Sequence, residues 1–342
     1  MRASYIIRYL VGIDEAVPQH RGKKSLLGDS IMVRHGRSIT LIAMLFLLMA
    51  LLVPDAHAQD ANYNEALQRI YAAAATGARE LALDGLELTQ LPPELWYLTQ
   101  LESLYLTYNQ LVTLPPQIAN LGSLKTLVLS FNRLQTLPPE IAYLSQLEAL
   151  YAEDNQIRSL PSTIGNLYNL RLLYLGHNEL TTIPAQIGTL GELRVLYLKY
   201  NRLEELPPAI GQLRQLTYVD LSHNNLKALP GEFGGLITIT ELDISANSLQ
   251  RLPASMVNLR SLMTFDVWNN PLVVRYPSFG DYIPAQISAY LEDQAAFDRA
   301  QFWDHLRDIV LAIVVIVVLM GSQHILMRRY YLSQLHQQPA WP

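Results

Sequence analysis

Residues 101–123 read LESLYLTYNQLVTLPPQIANLGS, and residues 124–146 read LKTLVLSFNRLQTLPPEIAYLSQ. Both stretches follow one frame, LxxLxLxxNxLxxLPxxIxxLxx, which repeats every 23 residues without a change of register. The asparagines of this frame are Asn109, Asn132, Asn155, Asn178, Asn201, Asn224, Asn247 and Asn270. A fixed period of this size is typical of a solenoid, in which each repeat packs only against its neighbours.

The positions of the leucines, asparagine and prolines in the frame are those that a stack of parallel coils requires. The two-residue alternation of LxL points its leucines to one side of a strand, and stacked coils bury them as a continuous core behind a parallel sheet. Strands are predicted to start near residues 80, 103, 126, 149, 172, 195, 218, 241 and 264. The asparagine amide can satisfy backbone groups of its own and adjacent coils, and Leu-Pro-Pro favours an extended path followed by a short helical turn.

The chain therefore resembles the leucine-rich repeat family, in the 23-residue form of Ras-group and many bacterial members. The resemblance covers roughly residues 78–271 and implies an α/β solenoid, a horseshoe with the parallel sheet on its concave face and helical caps. The first unit departs from the frame, since Leu86 stands at the asparagine position. An atypical first unit is expected of a capping repeat.

The frame and the flanking composition predict six segments. They are an extension and signal peptide (1–58), an N-terminal capping helix (59–77), the repeat array (78–271), a C-terminal cap and linker (272–308), a transmembrane helix (309–327) and a cytoplasmic tail (328–342). The first cap is alanine-rich and ends at Gly77, as helices often do. Plain capping is the expected role of both flanking helices.

The apolar run of residues 39–53 follows Arg34 and Arg37 and precedes the sequence AHA at 56–58. This pattern is typical of a secretory signal peptide, here cleaved before Gln59. An uncleaved membrane anchor is the alternative, although the run is shorter than the roughly 20 residues of a span. Met32 is a candidate translation start, and a genuine cytosolic extension before it is the competing interpretation.

The second apolar run, residues 309–327, is followed by Arg328 and Arg329 and has no polar face between Ile309 and Met320. A capping helix would show a polar face, so the run is predicted to be a single transmembrane helix in the lipid bilayer. Residues 59–308 hold 26 acidic and 16 basic side chains, whereas the nine other lysines and arginines lie outside that range. The positive-inside rule then places both ends in the cytoplasm and the repeats outside it, in the periplasm or extracellular space.

The sequence contains none of the common catalytic or metal-binding motifs. It has no cysteine, no GxSxG, HExxH, GxGxxG or Walker A motif, and no spacing typical of a zinc site. His177 and His223 occupy one repeat position two coils apart, about 10 Å, which is too far for one zinc ion. We therefore expect no catalytic residue, cofactor or metal. The net-acidic repeat region also disfavours nucleic acid, and the oligomeric state is left open.

In leucine-rich repeat proteins the residues between the strand leucines line the concave face, where partners usually bind. This resemblance implies the binding residues Tyr105, Tyr108, Tyr151, Tyr174, Tyr197, Tyr200, Tyr218, Asp220, Glu241, Asp243, Asp266 and Trp268. Tyrosine is over-represented in binding hot spots, although stacked tyrosines also stabilise a sheet. The aspartates are expected to be exposed and to repel one another. A partner with basic groups would relieve that repulsion.

Three functions are compatible with these features. The first is a membrane-anchored, extracytoplasmic recognition or scaffold protein that binds a protein or peptide on its concave face. The second is a module that binds cell-envelope glycan through the tyrosine rings alone. An enzyme is the third and the least favoured, because no nucleophile, base or metal set is visible.

Overall fold

Nine parallel strands form a single sheet in the computed structural model, which describes residues 61–272, 287, 289–296, 298–299 and 301–312. The strands are β1 (Glu80–Ala82), β2 (Ser103–Tyr105), β3 (Thr126–Val128), β4 (Ala149–Tyr151), β5 (Leu172–Tyr174), β6 (Val195–Tyr197), β7 (Tyr218–Asp220), β8 (Glu241–Asp243) and β9 (Thr264–Asp266). Each pairs with the next, and every residue faces its counterpart in the following repeat. The strand positions and the parallel order predicted from the 23-residue frame are confirmed.

A continuous leucine core lies behind this sheet. In the central strands the middle residue is buried, and the leucine that follows the strand is buried as well, as Leu173 and Leu175 show. The first and third residues of the strands are mostly part-exposed on the other side. This alternation is what a short strand with one covered face requires.

One-turn 3₁₀ helices complete the coils on the side away from the sheet. They span Pro93–Tyr97, Pro116–Asn120, Pro139–Tyr143, Ser162–Asn166, Ala185–Thr189, Pro208–Gln212, Gly231–Gly235 and Ala254–Asn258. Each follows a proline in an extended conformation, and its third residue is buried in the core. Coils approach closely here: a Cβ at Gly211 would lie 2.0 Å from the carbonyl oxygen of Glu232 in the next coil.

Helix α1 (Ala61–Thr76) packs against the first coil. Its buried residues Ala66, Ile70 and Ala73 are spaced four and three residues apart, so they lie on one face. The helix ends at Gly77, whose φ of +66° is the left-handed conformation that glycine adopts at low cost. The amide of Ala78 then donates to the carbonyl of Ala73 at 3.0 Å, which closes the helix end.

Helical residues after position 287 contact the repeat that carries β8. Arg251 donates two hydrogen bonds to the Asp298 carboxylate, both 3.1 Å long, and the Gln294 amide pairs with the backbone of Leu252. Residues 301–312 are helical and exposed.

No helix in the described part of the chain is both long and apolar enough to cross a membrane. The predicted signal peptide, and the predicted transmembrane segment beyond residue 312, lie outside the described residues.

Candidate functional site

The eight frame asparagines form a hydrogen-bonded ladder that holds the strand ends in place. Asn178 is typical: its Oδ1 accepts from the amide of Ile157 at 2.9 Å, and its Nδ2 donates to the carbonyls of Ala152 and Leu175 at 2.9 and 3.1 Å. The ladder asparagines are all buried. Because each amide joins its own coil to the preceding one, the ladder sets the backbone on which the candidate site is built.

The open face of the sheet carries the predicted binding residues. We use this name for the side opposite the leucine core, with the first and third residues of β1–β9 and the two residues before each ladder asparagine. Tyr105, Tyr151, Tyr174, Tyr197 and Tyr218 are half-buried on it. Tyr108, Tyr200, Trp268 and Glu241 are exposed, and Asp243 and Asp266 are partly exposed.

Three tyrosines at the ends of β4, β5 and β6 form a contiguous tyrosine row. The rings of Tyr151 and Tyr174 are stacked, with centroids 4.9 Å apart and planes 19° apart. The rings of Tyr174 and Tyr197 are 5.6 Å apart and tilted by 33°. Tyr197 leans over Gly176, where a Cβ would lie only 2.4 Å from its Cε1 atom. The row therefore depends on the glycine as well as on the tyrosines.

A second line of rings, the lateral row, runs beside the ladder asparagines. Tyr108 stacks on Phe131 at 4.5 Å, and Tyr200 lies between His177 and His223 at 4.4 and 4.1 Å. The residues of this row have φ values between 51° and 56°, in the left-handed region. Sequence reasoning missed this conformation. The signal was present, because Asp154, His177, His223 and Asn269 stand in this column, and aspartate, histidine and asparagine tolerate positive φ better than most residues.

The aspartates at the ends of β7, β8 and β9 differ from the prediction. Asp220 is only 3% exposed, and its Oδ1 accepts from the amide and hydroxyl of Ser222 at 2.9 and 2.6 Å. Asp243 and Asp266 each accept from the backbone amide two residues later, at 2.9 Å. The expectation that this stripe is exposed is wrong for Asp220, because its carboxylate is buried and stabilises the turn that follows its strand. The expected repulsion is present, since, in addition to burial, the charge of Asp243 raises the pKa of Asp220.

Three carboxylates lie close together on β7 and β8 of the open face. Burial raises the pKa of Tyr218 to about 12, and the neighbouring carboxylates Asp220, Asp243 and Glu241 add to the effect. Burial also raises the pKa of Asp220, and the hydrogen bonds from Ser222 oppose this shift. A phenol or carboxyl beside other negative charges resists losing its proton. This part of the surface is therefore suited to a cationic ligand.

Sequence reasoning also missed Glu153, which precedes the lateral row in the fourth repeat. Burial raises its pKa, and Asp154 raises it further, whereas His177 lowers it. Glu153 in turn contributes to the raised pKa values of Tyr151, Tyr174 and Tyr197, so its carboxylate lies near the whole tyrosine row. The frame allows any residue at this position, so the leucine pattern contained no signal for it.

Among the described residues, no group of three or more histidine, aspartate or glutamate side chains is arranged to hold a metal ion. His177 and His223 lie on opposite sides of the Tyr200 ring, which separates them. His177 Nδ1 is 4.0 Å from Asp154 Oδ1. His177, Tyr200 and His223 therefore form a three-ring stack whose first ring lies beside Asp154.

Comparison with known proteins gives a match to a repeat family. The profile described as leucine rich repeat matches residues 76–134, 99–157, 160–203, 191–249 and 214–272, which together are more than half of the chain. No curated protein sequence matches it.

Solved structures with related folds are longer than the matched region. The functional domain of InlJ from Listeria monocytogenes, which includes a cysteine ladder, is 25% identical with a TM-score of 0.51, over 59% of this chain and 41% of that one. A leucine-rich repeat protein of Leptospira interrogans is 28% identical, with a TM-score of 0.45 and coverages of 60% and 63%. A TDR receptor is 28% identical, with a TM-score of 0.49 and coverages of 56% and 39%. In each case this chain spans less than two thirds of the other protein.

Proposed function

Because the chain belongs to the leucine-rich repeat family, we propose that it is a membrane-anchored recognition or scaffold protein that binds a protein or peptide on the open face. The observation that carries this proposal is the contiguous tyrosine row of Tyr151, Tyr174 and Tyr197 beside a line of carboxylates. Aromatic side chains with a polar tip supply large contact areas at low entropic cost and are common in binding hot spots.

Two features favour a protein or peptide over a glycan. The faces of the Tyr151 and Tyr174 rings are stacked on one another at 4.9 Å, so they have little free face for a sugar ring. The neighbouring carboxylates, such as Glu241 and Asp243, provide charge that a neutral sugar would not use. Glycan binding remains the second candidate, and a protein partner is the one that uses both the rings and the charges.

The anchoring part of the proposal is supported by the sequence at both ends. The repeats are net acidic, and the basic residues flank the apolar runs at 39–53 and 309–327. We expect the mature protein to start at Gln59, which N-terminal sequencing of the membrane fraction can test. A chain that ends after Asp308 should be released from membranes. Retention of that truncated chain would contradict an anchor at 309–327.

The binding part can be tested by affinity capture with the full chain in a mild detergent. The variant Tyr151→Ala/Tyr174→Ala/Tyr197→Ala should lose the partners that the unchanged chain captures. The matched control is Tyr143→Ala/Tyr168→Ala, because these two tyrosines are 69% and 62% exposed beside the 3₁₀ helices, away from the open face. If only the control variant loses the partner, the binding site lies on the 3₁₀ side. If a glycan elutes with the protein, the second candidate is correct.

A further inference from the structure

Glu153 differs from the aspartates of the open face in having no partner of its own. The carboxylates of Asp220, Asp243 and Asp266 each accept a backbone hydrogen bond. Glu153 is half-buried, and no hydrogen bond or ion pair to its carboxylate forms within the described part of the chain. Partial loss of water without a compensating partner is unfavourable for an ionised group. An external cation would relieve this cost.

Glu153 and the Tyr197 ring lie on either side of Gly176. Glu153, Gly176 and Lys199 occupy the same position in three successive coils, so Gly176 leaves a gap between two long side chains. The Tyr197 ring leans into this gap, with its Cε1 where a side chain at 176 would begin. The Tyr197 ring therefore covers Gly176, and Glu153 lies one coil before this glycine. A cation paired with Glu153 would lie beside that ring.

The nearest lysine in the same column is engaged elsewhere. The Nζ atom of Lys199 lies 5.3 Å from the centroid of the Tyr200 ring, a cation–π distance. Among the described residues, the one ion-pair contact of His177 is with Asp154, at 4.0 Å, whereas its influence on Glu153 is limited to lowering the Glu153 pKa that burial raises. This part of the open face therefore carries a negative charge that nearby side chains leave without an ion pair.

We propose that Glu153, Gly176 and Tyr197 form a subsite for an arginine side chain of the partner protein. This inference rests on the proposed function and names the group that the open face recognises. Arginine fits better than lysine because its planar guanidinium can donate two hydrogen bonds to one carboxylate while it contacts an aromatic ring. It is also less strongly hydrated than an ammonium group, so it enters a half-buried site at lower cost.

The test uses two short peptides, acetylated and amidated: one of four arginines, and one in which citrulline replaces each arginine. Citrulline has nearly the shape of arginine but no charge. Binding to the full chain in detergent is measured by titration calorimetry at fixed ionic strength. We expect the arginine peptide to bind at least about tenfold more tightly than the citrulline peptide. Equal affinity for the two peptides would overturn the proposal.

The variant Glu153→Gln is the test of the site itself. It keeps the side-chain size and removes the charge, and it should weaken binding of the arginine peptide by about tenfold. Glu232→Gln is the matched control, because Glu232 is exposed in a 3₁₀ helix away from the open face, and it should leave affinity unchanged within about twofold. Equal losses in the two variants would mean that the peptide senses only overall charge, and the subsite would be rejected.

The outcomes separate this inference from the proposed function. Thermal unfolding of Glu153→Gln should occur at the same temperature as that of the unchanged chain or slightly above it, because the Glu153 carboxylate makes no internal hydrogen bond and an unpaired half-buried charge is removed. If captured partners are lost from the tyrosine-row variant but retained by Glu153→Gln, the open face is the binding site and the arginine subsite is wrong. If the tyrosine-row variant also retains them, the proposed binding face is wrong as well.

Discussion

Removing two adjacent ladder asparagines should destabilise the array by more than the sum of the single changes. Asn178 and Asn201 both donate to the carbonyl of Leu175, at 3.1 and 2.9 Å. Either asparagine alone keeps this buried carbonyl satisfied, so each single variant leaves it with one donor. Only the double variant leaves it with none, which is the physical source of the expected coupling.

The size of each effect follows from the backbone groups that lose their partners. Asn178→Ala leaves the buried amide of Ile157 without an acceptor, which costs about 1–3 kcal/mol. The carbonyls of Ala152 and Leu175 each keep a second asparagine donor, Asn155 and Asn201 respectively, and so add less. We expect about 2–3 kcal/mol for each single variant. The double variant should cost an additional ~1–2 kcal/mol beyond their sum.

The assay is urea unfolding of the full chain in a mild detergent, followed by far-ultraviolet circular dichroism. Asn132→Ala with Asn201→Ala is the control pair, because these asparagines share no carbonyl and should be additive within about 0.5 kcal/mol. Asn225→Ala is the single control, since Asn225 is exposed and outside the ladder. If the Asn178/Asn201 pair is additive too, the shared carbonyl does not contribute to stability and the reasoning is refuted.

Two further predictions concern the open face. Asp220→Ala should lower the free energy of unfolding by about 1–3 kcal/mol, because it leaves the buried amide and hydroxyl of Ser222 unpaired. Asp220→Asn keeps an acceptor oxygen, so its free energy of unfolding in urea at neutral pH should stay within about 1 kcal/mol of the unchanged chain. Burial raises the pKa of Asp220 above its value in the unfolded chain. The contribution of Asp220 to stability should therefore be most favourable at low pH and should fall as the pH rises through the raised pKa. A pH dependence that persists unchanged in Asp220→Asn would argue against this cause. Gly176→Ala should displace the Tyr197 ring and lower the free energy of unfolding by about 1 kcal/mol. The control is Gly191→Ala, whose new Cβ would meet nothing within 4 Å and which should change the free energy of unfolding by less than about 0.5 kcal/mol. Equal effects of the two variants would show that the position of the ring does not depend on the glycine.

Part of the candidate site could be read from the repeat alone. The column of tyrosines at the ends of β4, β5 and β6 follows directly from the frame, because residues 23 apart must lie side by side. The roles of the aspartates did not follow, because the frame cannot distinguish a carboxylate that faces solvent from one that folds back onto its own turn. Asp220 does the latter because Ser222 offers both an amide and a hydroxyl.

Sequence by itself determined the solenoid, the positions of the nine strands, their parallel order and the burial of the asparagines. It could do so because every repeat meets a copy of the same frame, and a fixed period leaves one register that buries all the leucines. Tertiary structure alone decided which open-face side chains are free. That depends on side chains from adjacent coils, such as Tyr197 over Gly176, and on a left-handed residue before each ladder asparagine. Variable positions of the frame, among them Glu153, acquire a role only from these neighbours 23 residues away.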